Sequence, residues 1–585
     1  MTNIRNTQSE KLGSEIFCES LADQGVDIMF GIPGGVVLPL YDKINKYGHK
    51  IRHILPRQEQ GGGFAADGYA RVTGKVGVAL GTSGPGATNL MTSITNSMMD
   101  SVPVVYVTGQ VTEELIGTDA FQETDVIGMS MPVVKHSYFV NHAKDIPRVL
   151  KEAFYIASTG RPGPVHVDLA KNAWLTASVP DPNPEMDLPG YVPIPKVSPD
   201  SEIKKLDQFL SKNNLKPMII AGHGVELSRA EKELFEFAKH HDIPVVNTLL
   251  GLGTFPQGHD LWCGMMGMHG DAIANYAVAE ADLIIGIGIR FDDRITGKLS
   301  EFIKGKTFIH IEIDPSEVNK NIPVALALYG DAADILARAL TLTDKHAFPS
   351  WLSRIADLKA KYGFLDFTLN PVHDNKFLSQ PRIIKMISDA TDGEAIVASD
   401  VGRHQMWVGR FYRFKHPNSH LSSGGLGSMG YGLPAAMGAA FGAPDREVWS
   451  ISGDGGFMMN VQELATISEH NLPVRIAIME DNSLGMVRQW QNLLFGGNIS
   501  HSDLKNPDFV LLAEAFGIPA FRATTEAEAV HAIAEARKVK GPALINFKVD
   551  PDEHVFPMVI SGTALYEQAL GDQDFKKEND PNKPL

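Results

Sequence analysis

The chain has 585 residues, a formal net charge of −16 and 43% hydrophobic residues, a balance suited to a globular protein with several cores. The acidic excess argues against a nucleic-acid partner, which rewards clustered Lys and Arg. No apolar run reaches the roughly eighteen residues of a membrane helix, so no membrane association is expected. Two cysteines, Cys18 and Cys263, argue against a disulfide framework and fit a reducing compartment. The opening MTNIRNTQSEKLGSEIF has no signal-like apolar stretch, so a cytoplasmic location is expected.

In chain order, residues 12–175 alternate helical patterns with short buried strands at VGVAL (76–80), PVVYVTG (103–109) and GPVHVDL (163–169). Their β-branched, near-continuous hydrophobicity suits parallel sheets covered on both faces. A first region over 1–177 is followed by the proline-dense segment 178–200, read as a linker. A second α/β region, 201–345, holds MIIAG (218–222), PVVNTLL (244–250), ADLIIGIG (281–288) and TFIHIEI (307–313). Residues 346–380, with HAFPSW and NPVHDN, read as a connection. The third region, 381–550, holds AIVASD (395–400), EVWSIS (447–452), VRIAIME (474–480) and ALINFKVD (543–550). A tail, 551–585, ends in a polar stretch. The expected fold class is α/β, with three consecutive parallel-sheet domains.

The strongest local signal is GDGGF (453–457), directly after strand EVWSIS. The next strand ends at Glu480 and is followed by Asp481, Asn482 and Ser483. Ligands of open α/β sheets bind beyond the carboxyl ends of strands, so two adjacent ends would bring Asp454 and Asp481 together. Magnesium takes hard oxygen ligands with substrate phosphates completing its shell. Gly453, Gly455 and Gly456 would let the backbone approach a diphosphate, and a helix near MNVQELATI would aim its amides at the anion. A plain turn is the bland alternative, since Gly-Asp-Gly is common in turns.

GDG followed after this interval by a polar ligand resembles the thiamine-diphosphate enzyme signature, and the likeness extends over roughly residues 12–565. The resemblance implies metal ligation by Asp454, Asp481 and the Ser483 main-chain carbonyl. The family usually has Asn-Asn where this chain has Glu480-Asp481, so a negative charge is added beside two phosphates. RQEQGGGFAADGYAR (57–71) is similar to the segment carrying the family's activating glutamate, here Glu59, which would share a proton with the cofactor's aminopyrimidine. Gln58 stands where the family often has His. GIPGG (31–35), after the strand-like DIMF (27–30), supplies Ile32, Gly34 and Gly35, and TSGPGATN (82–89) supplies Pro85 and Asn89. SSGGLGSMGYGLPAA (422–436) supplies Gly427 and Met429, the apolar wedge that would bend the cofactor, a proximity effect. VGRHQMW (401–407) supplies Val401, Gly402, Arg403 and His404. Arg403 replaces the family's common Gln and is expected to set positive charge opposite Asp481. SLGMVRQWQ (483–491) supplies Leu484, Gly485 and Met486.

Further elements resemble the acetolactate synthase family in particular. DAFQETD (119–125) supplies Phe121 near a second substrate and Gln122 as a catalytic residue. GRPGPVHVDLAKN (160–172) supplies Arg161 and catalytic Lys171. IRFDDRITG (289–297), with MMGMHG (265–270), resembles an FAD-binding middle domain. The residues implied are Arg161, Gly222, Met268, His269, Gly288, Arg290, Asp292 and Glu312, around a flavin without a net redox role. Arg294 would hold a keto-acid carboxylate, and Trp490 would shape a pocket for a longer keto acid. The resemblance implies decarboxylation of pyruvate and joining of its two-carbon unit to pyruvate or 2-ketobutyrate. It also implies an active site shared between subunits of a homodimer or larger assembly, and a small regulatory subunit. The first region would then bind the pyrimidine, the second FAD, and the third diphosphate and magnesium. Other readings are another thiamine-diphosphate decarboxylase or carboligase, and a non-catalytic cofactor-binding paralogue. An FAD enzyme using a nicotinamide would want a well-placed G-x-G-x-x-G turn, and none is found.

Overall fold

The computed structural model describes residues 9–363 and 377–574. The NPVHDN stretch and the end of the polar tail lie outside the described residues. Three six-stranded sheets form the framework. The first holds β1 (Ile28–Gly31), β2 (Arg52–Ile54), β3 (Gly77–Gly81), β4 (Val104–Gln110), β5 (His136–Val140) and β6 (Val165–Ala170). The second holds β7 (Pro217–Ala221), β8 (Val245–Asn247), β9 (Trp262–Met265), β10 (Leu283–Ile287), β11 (Thr307–Glu312) and β12 (Leu326–Tyr329). The third holds β13 (Ile396–Ser399), β14 (His420–Ser422), β15 (Val448–Gly453), β16 (Val474–Glu480), β17 (Ala520–Ala523) and β18 (Ala543–Lys548).

The first and third sheets share one winding, β2-β1-β3-β4-β6-β5 and β14-β13-β15-β16-β18-β17. The middle sheet runs β9-β8-β7-β10-β11-β12, the order of a dinucleotide-binding doubly wound sheet. The strands are parallel, with β4 and β6 in register from Val105↔Val165 to Gln110↔Ala170 and β16 and β18 from Arg475↔Ala543 to Glu480↔Lys548. Central strands such as β4 and β10 are buried along their whole length, as sheets covered on both faces require.

By contact density the chain forms two compact units. One comprises Met1–Pro193, Ser423–Asp445 and Met459–Val474, and contains the first sheet; the other holds the middle and third sheets. In the first unit, helix α1 (Glu59–Thr73) crosses helix α4 (Gly432–Gly442). Seven of the eleven residues of α4 are Gly or Ala, and the two backbones touch: a Cβ added at Gly438 would lie 1.9 Å from the Ala65 carbonyl oxygen, and one at Gly68 2.3 Å from that of Ala435. Helix α2 (Met91–Asp100) packs beside α1. Helices α3 (Arg403–Phe411) and α6 (Gly485–Leu494), and α5 (Asp454–Met459) except its last residue, belong to the second unit.

Two local expectations need correction. PVVNTLL forms a strand only over Val245–Asn247, because the Thr248 hydroxyl accepts the Gly251 N–H and curls the chain into a 3-10 turn. The helix expected near MNVQELATI is not one helix: α5 starts at Asp454 itself, ends at Met459, and a separate helix begins at Glu463. The stretch read as a connection opens with helix Pro349–Tyr362, whose Trp351, Ile355 and Leu358 join the core of the middle sheet. No helix among the described residues is long and apolar enough to cross a membrane.

Candidate active site

In doubly wound sheets the crevice lies where the strand order reverses. For the first sheet that point is between β1 and β3. The GIPGG loop leaves β1, the TSGPGATN loop leaves β3, and a Cβ on Gly34 would lie 2.4 Å from the Thr82 side chain. The Ile32 N–H donates to the Leu80 carbonyl at 3.4 Å, while Gly35 faces open space. Glu59 is the first residue of α1, after Gln58, whose side chain caps the helix by accepting the Gly61 N–H. Asn89 Nδ2 donates to Glu59 Oε2 at 2.9 Å, and a Cβ on Gly86 would come 3.3 Å from Glu59 Oε1. The GPG turn thus frames the carboxylate. The Gly- and Ala-rich surround suggests burial of Glu59, yet it remains half-buried: the small residues enclose the rest of α1, not its first turn.

The Gln122 backbone sits against Gly84, 2.9 Å from where a Cβ would be, with Gln122 itself at φ 61°. Phe121 beside it is 88% exposed, so no described residue encloses its ring. Lys171 opens the short helix Lys171–Leu175 and is half-buried. Arg161 Nε donates to Ser101 Oγ at 2.9 Å. Gly427 lies in open space at φ 75°, and Met429 is half-buried. Their loop is tied down by Asp100, which accepts the N–H of Gly424 and Gly425, and by Ser423, which donates to Asn96. Asp100 in turn pairs with Arg71, which pairs with Asp67.

For the third sheet the switch point lies between β13 and β15, from which the VGRH and GDGG loops emerge. Asp454 Oδ2 accepts the Asn482 N–H and the Asn506 amide, both at 2.7 Å, and Oδ1 accepts the Gly455 N–H. The end of β16 is thereby brought against the end of β15. Asp481 Oδ1 accepts the Ser483 N–H and hydroxyl, and Oδ2 pairs with Arg403. The antiparallel bridge to residues 502–504 uses the Asn482 carbonyl and the Leu484 N–H, so it does not consume the Ser483 carbonyl. Gly453 and Gly456 do not front an open cradle. Their missing Cβ positions face the His404 ring and the Asp400 carboxylate. Burial pushes His404 down to about 3, so its ring is neutral, and Nε2 accepts the Gly453 N–H at 3.2 Å. Val401 N–H donates to Asp400 Oδ1, and Gly402 has φ 155°. Leu484 precedes α6, Gly485 opens it, and Met486 packs on the third core.

Burial first, and the Asp481 charge second, push Asp454 up to about 7. Two carboxylates and a main-chain carbonyl at one turn are a hard-oxygen set suited to a divalent cation, and binding must displace that proton. Magnesium affinity is therefore expected to weaken about tenfold per pH unit below about pH 7 and to level off above it. In the metal-free protein the sign for folding is the same group read backwards. The folded chain keeps a proton that the unfolded one has released between about pH 4 and 7, so stability falls as pH rises through that window. Calorimetric titration with magnesium at about pH 6 and pH 8 checks this; equal affinities would refute it, and Asp454→Asn should abolish the difference.

In the middle sheet the switch point lies between β7 and β10. Gly222 and Gly288 follow these strands, and a Cβ on Gly222 would lie 2.2 Å from the Gly288 carbonyl oxygen. Arg290 and Asp292 approach to 3.7 Å. The Met268 N–H donates to the Arg294 carbonyl, and Arg294 Nη1 lies 3.5 Å from Met268 Sδ. His269 is pushed down to about 3 by burial, with Nδ1 buried and without a hydrogen-bond partner among the described residues. Glu312 Oε1 accepts the N–H groups of Ile313 and Asp314, so it caps its own turn, and Oε2 lies 3.6 Å from His310 Nε2. Trp490 is half-buried on α6.

Two structural residues escaped the sequence reading. Glu463 accepts the N–H groups of Arg57 and Gln58 and so fixes the chain entering α1. Asn506 holds Asp454. NVQEL and KNPDF carry no spacing that points to either role.

The family models identify the class of these three sheets as that of the thiamine pyrophosphate enzymes. Residues 12–129 match the N-terminal thiamine pyrophosphate binding domain, 203–339 the central domain and 400–547 the C-terminal binding domain of the thiamine pyrophosphate enzymes. The chain is 44% identical to the acetolactate synthase large subunit of Corynebacterium glutamicum, over 98% of this chain and 92% of that one. It is 44% identical to the probable acetolactate synthase large subunit of Methanocaldococcus jannaschii, over 94% of each. It is 41% identical to the chloroplastic acetolactate synthase of Arabidopsis thaliana, over 94% of this chain and 83% of that one. The chain belongs to the acetolactate synthase family.

Proposed function

We propose that this chain is the catalytic subunit of an acetolactate synthase. It would decarboxylate pyruvate and join the two-carbon unit to a second pyruvate, giving 2-acetolactate, or to 2-ketobutyrate, giving 2-aceto-2-hydroxybutyrate. The observation that carries this reading is the placement of Glu59 with Asn89 at one switch point and of Asp454 with Asp481 at another. Thiamine diphosphate, when bound, supplies the electron sink that decarboxylation of a 2-keto acid needs.

The protein's part is positioning and proton control. Glu59 would pass a proton to and from the bound cofactor at the edge of α1, where Asn89 donates to its carboxylate. Asp454, Asp481 and the Ser483 carbonyl would hold Mg2+ against the diphosphate, with neutral His404 alongside. Gln122 and Lys171 would act on the reacting keto acids, and Met429 would support the cofactor. Phe121, Arg294 and Trp490 would line the second-substrate pocket, where one methylene is worth only about 1–3 kcal/mol. Residues of the middle domain around Gly222 and Gly288 would hold FAD in a non-redox role, a reading supported by the strand order and by the buried His269 ring nitrogen that has no hydrogen-bond partner among the described residues. The domain division 1–177, 201–345 and 381–550, a cytoplasmic homodimer or larger assembly, and a small regulatory subunit belong to the same reading.

Incubation with pyruvate, thiamine diphosphate and magnesium should give acetolactate, seen as acetoin after acidification. Added 2-ketobutyrate should divert product to the longer hydroxy acid. Acetaldehyde as the sole product would replace this reading with that of a simple decarboxylase.

A further inference from the structure

Arg403 is a buried cation at the third sheet's switch point. Its side chain is 2% exposed and that of its partner Asp481 is 7% exposed. One guanidinium nitrogen pairs with Asp481 Oδ2, and another donates to the carbonyls of Pro551 and Glu553 at 2.9 and 3.0 Å. Gly485 leaves room for this: a Cβ there would lie 2.4 Å from Arg403 Nε and 2.7 Å from Asp481 Oδ2. Arg488 reinforces the same segment, donating to the Pro551 carbonyl and pairing with Asp552. Gln489 completes it by accepting the Val555 N–H.

A carboxylate offers about four acceptor positions. Ser483 takes two on Asp481 and Arg403 takes a third, which leaves one for a cation. Because the pair carries no net charge, Asp481 presents an oxygen to a metal without adding repulsion toward a diphosphate. We propose that Arg403 and Asp481 act as one neutral oxygen donor, and that Arg403 is a positioning residue coupling the metal turn to residues 551–555. The proposal rests on the thiamine-diphosphate reading above. Removing one partner of a buried pair leaves an uncompensated charge, whereas replacing both with neutral groups does not.

The test is a double-mutant cycle on the full chain, read by calorimetric binding of magnesium–thiamine diphosphate and by hydrogen exchange of the 551–555 peptide. Arg403→Gln and Asp481→Asn are each expected to weaken binding at least about tenfold, and the double variant to return within about threefold of wild type. Cofactor binding should slow exchange at 551–555 in wild type but not in the double variant, although it binds. Additive losses overturn the neutral-donor idea, and cofactor-dependent protection that survives in the double variant overturns the coupling. Wild-type chain that binds no cofactor would instead refute the functional reading.

Discussion

Exchanging Glu59 for Gln is expected to lower kcat by about 10²–10⁴-fold, the range for a positioned proton-transfer group, with cofactor binding nearly intact. The reason is local. Arg57 and Gln58 are held through their N–H groups by Glu463, and the Gln58 side chain caps the helix. The backbone that presents residue 59 therefore does not depend on the carboxylate. Gln keeps the shape and an oxygen for Asn89 but cannot exchange a proton. Steady-state turnover with calorimetric cofactor binding separates the two effects. A variant within threefold of wild type would remove Glu59 from the mechanism, and one that lost cofactor binding to the same extent would make it a binding group.

The largest effect on stability is expected for Gly438→Val. Overpacking a core costs about 1–3 kcal/mol where side chains can adjust. Here the obstacle is the Ala65 carbonyl oxygen, 1.9 Å from the new Cβ, and a main-chain atom inside α1 cannot rotate away. The cost should exceed about 3 kcal/mol, a large share of the roughly 5–15 kcal/mol that holds a domain folded. Urea unfolding should show it as a lowered midpoint or as loss of soluble protein. Gly35→Ala is the control, since nothing lies within 4 Å of its Cβ position. Equal stability of the two variants would mean that α1 and α4 do not cross as closely as described.

The alternation of strand and helix was readable because buried central strands such as β4 and β16 are continuous apolar runs. The strands that the sequence did not announce are the sheet edges: β2, β5, β9, β12, β14 and β17. They are three to five residues long, too short for a periodic signal. The acidic turn was legible because GDGG and Asp481 each follow a strong strand. The Arg403–Asp481 pair was legible as two departures of opposite sign from one family pattern. Glu463 and Asn506 were not, because the groups they hold lie far away in the chain, and neither position carries a local mark. The course of the chain after GDGG was misjudged for a related reason. Asp454 is itself the first residue of α5, with its carboxylate accepting the next N–H, where a turn before a later helix was expected.

The loops that carry Glu59, Asp454 and Asp481 leave their sheets from the downstream ends of the strands, which makes an upstream rim available for instrumentation. Lys75 lies just before β3 on such a rim and is about half exposed. Both native thiols, Cys18 and Cys263, are buried. A single cysteine introduced at 75 would therefore accept a fluorescent dye selectively, and could follow events in the first unit from a point remote from Glu59.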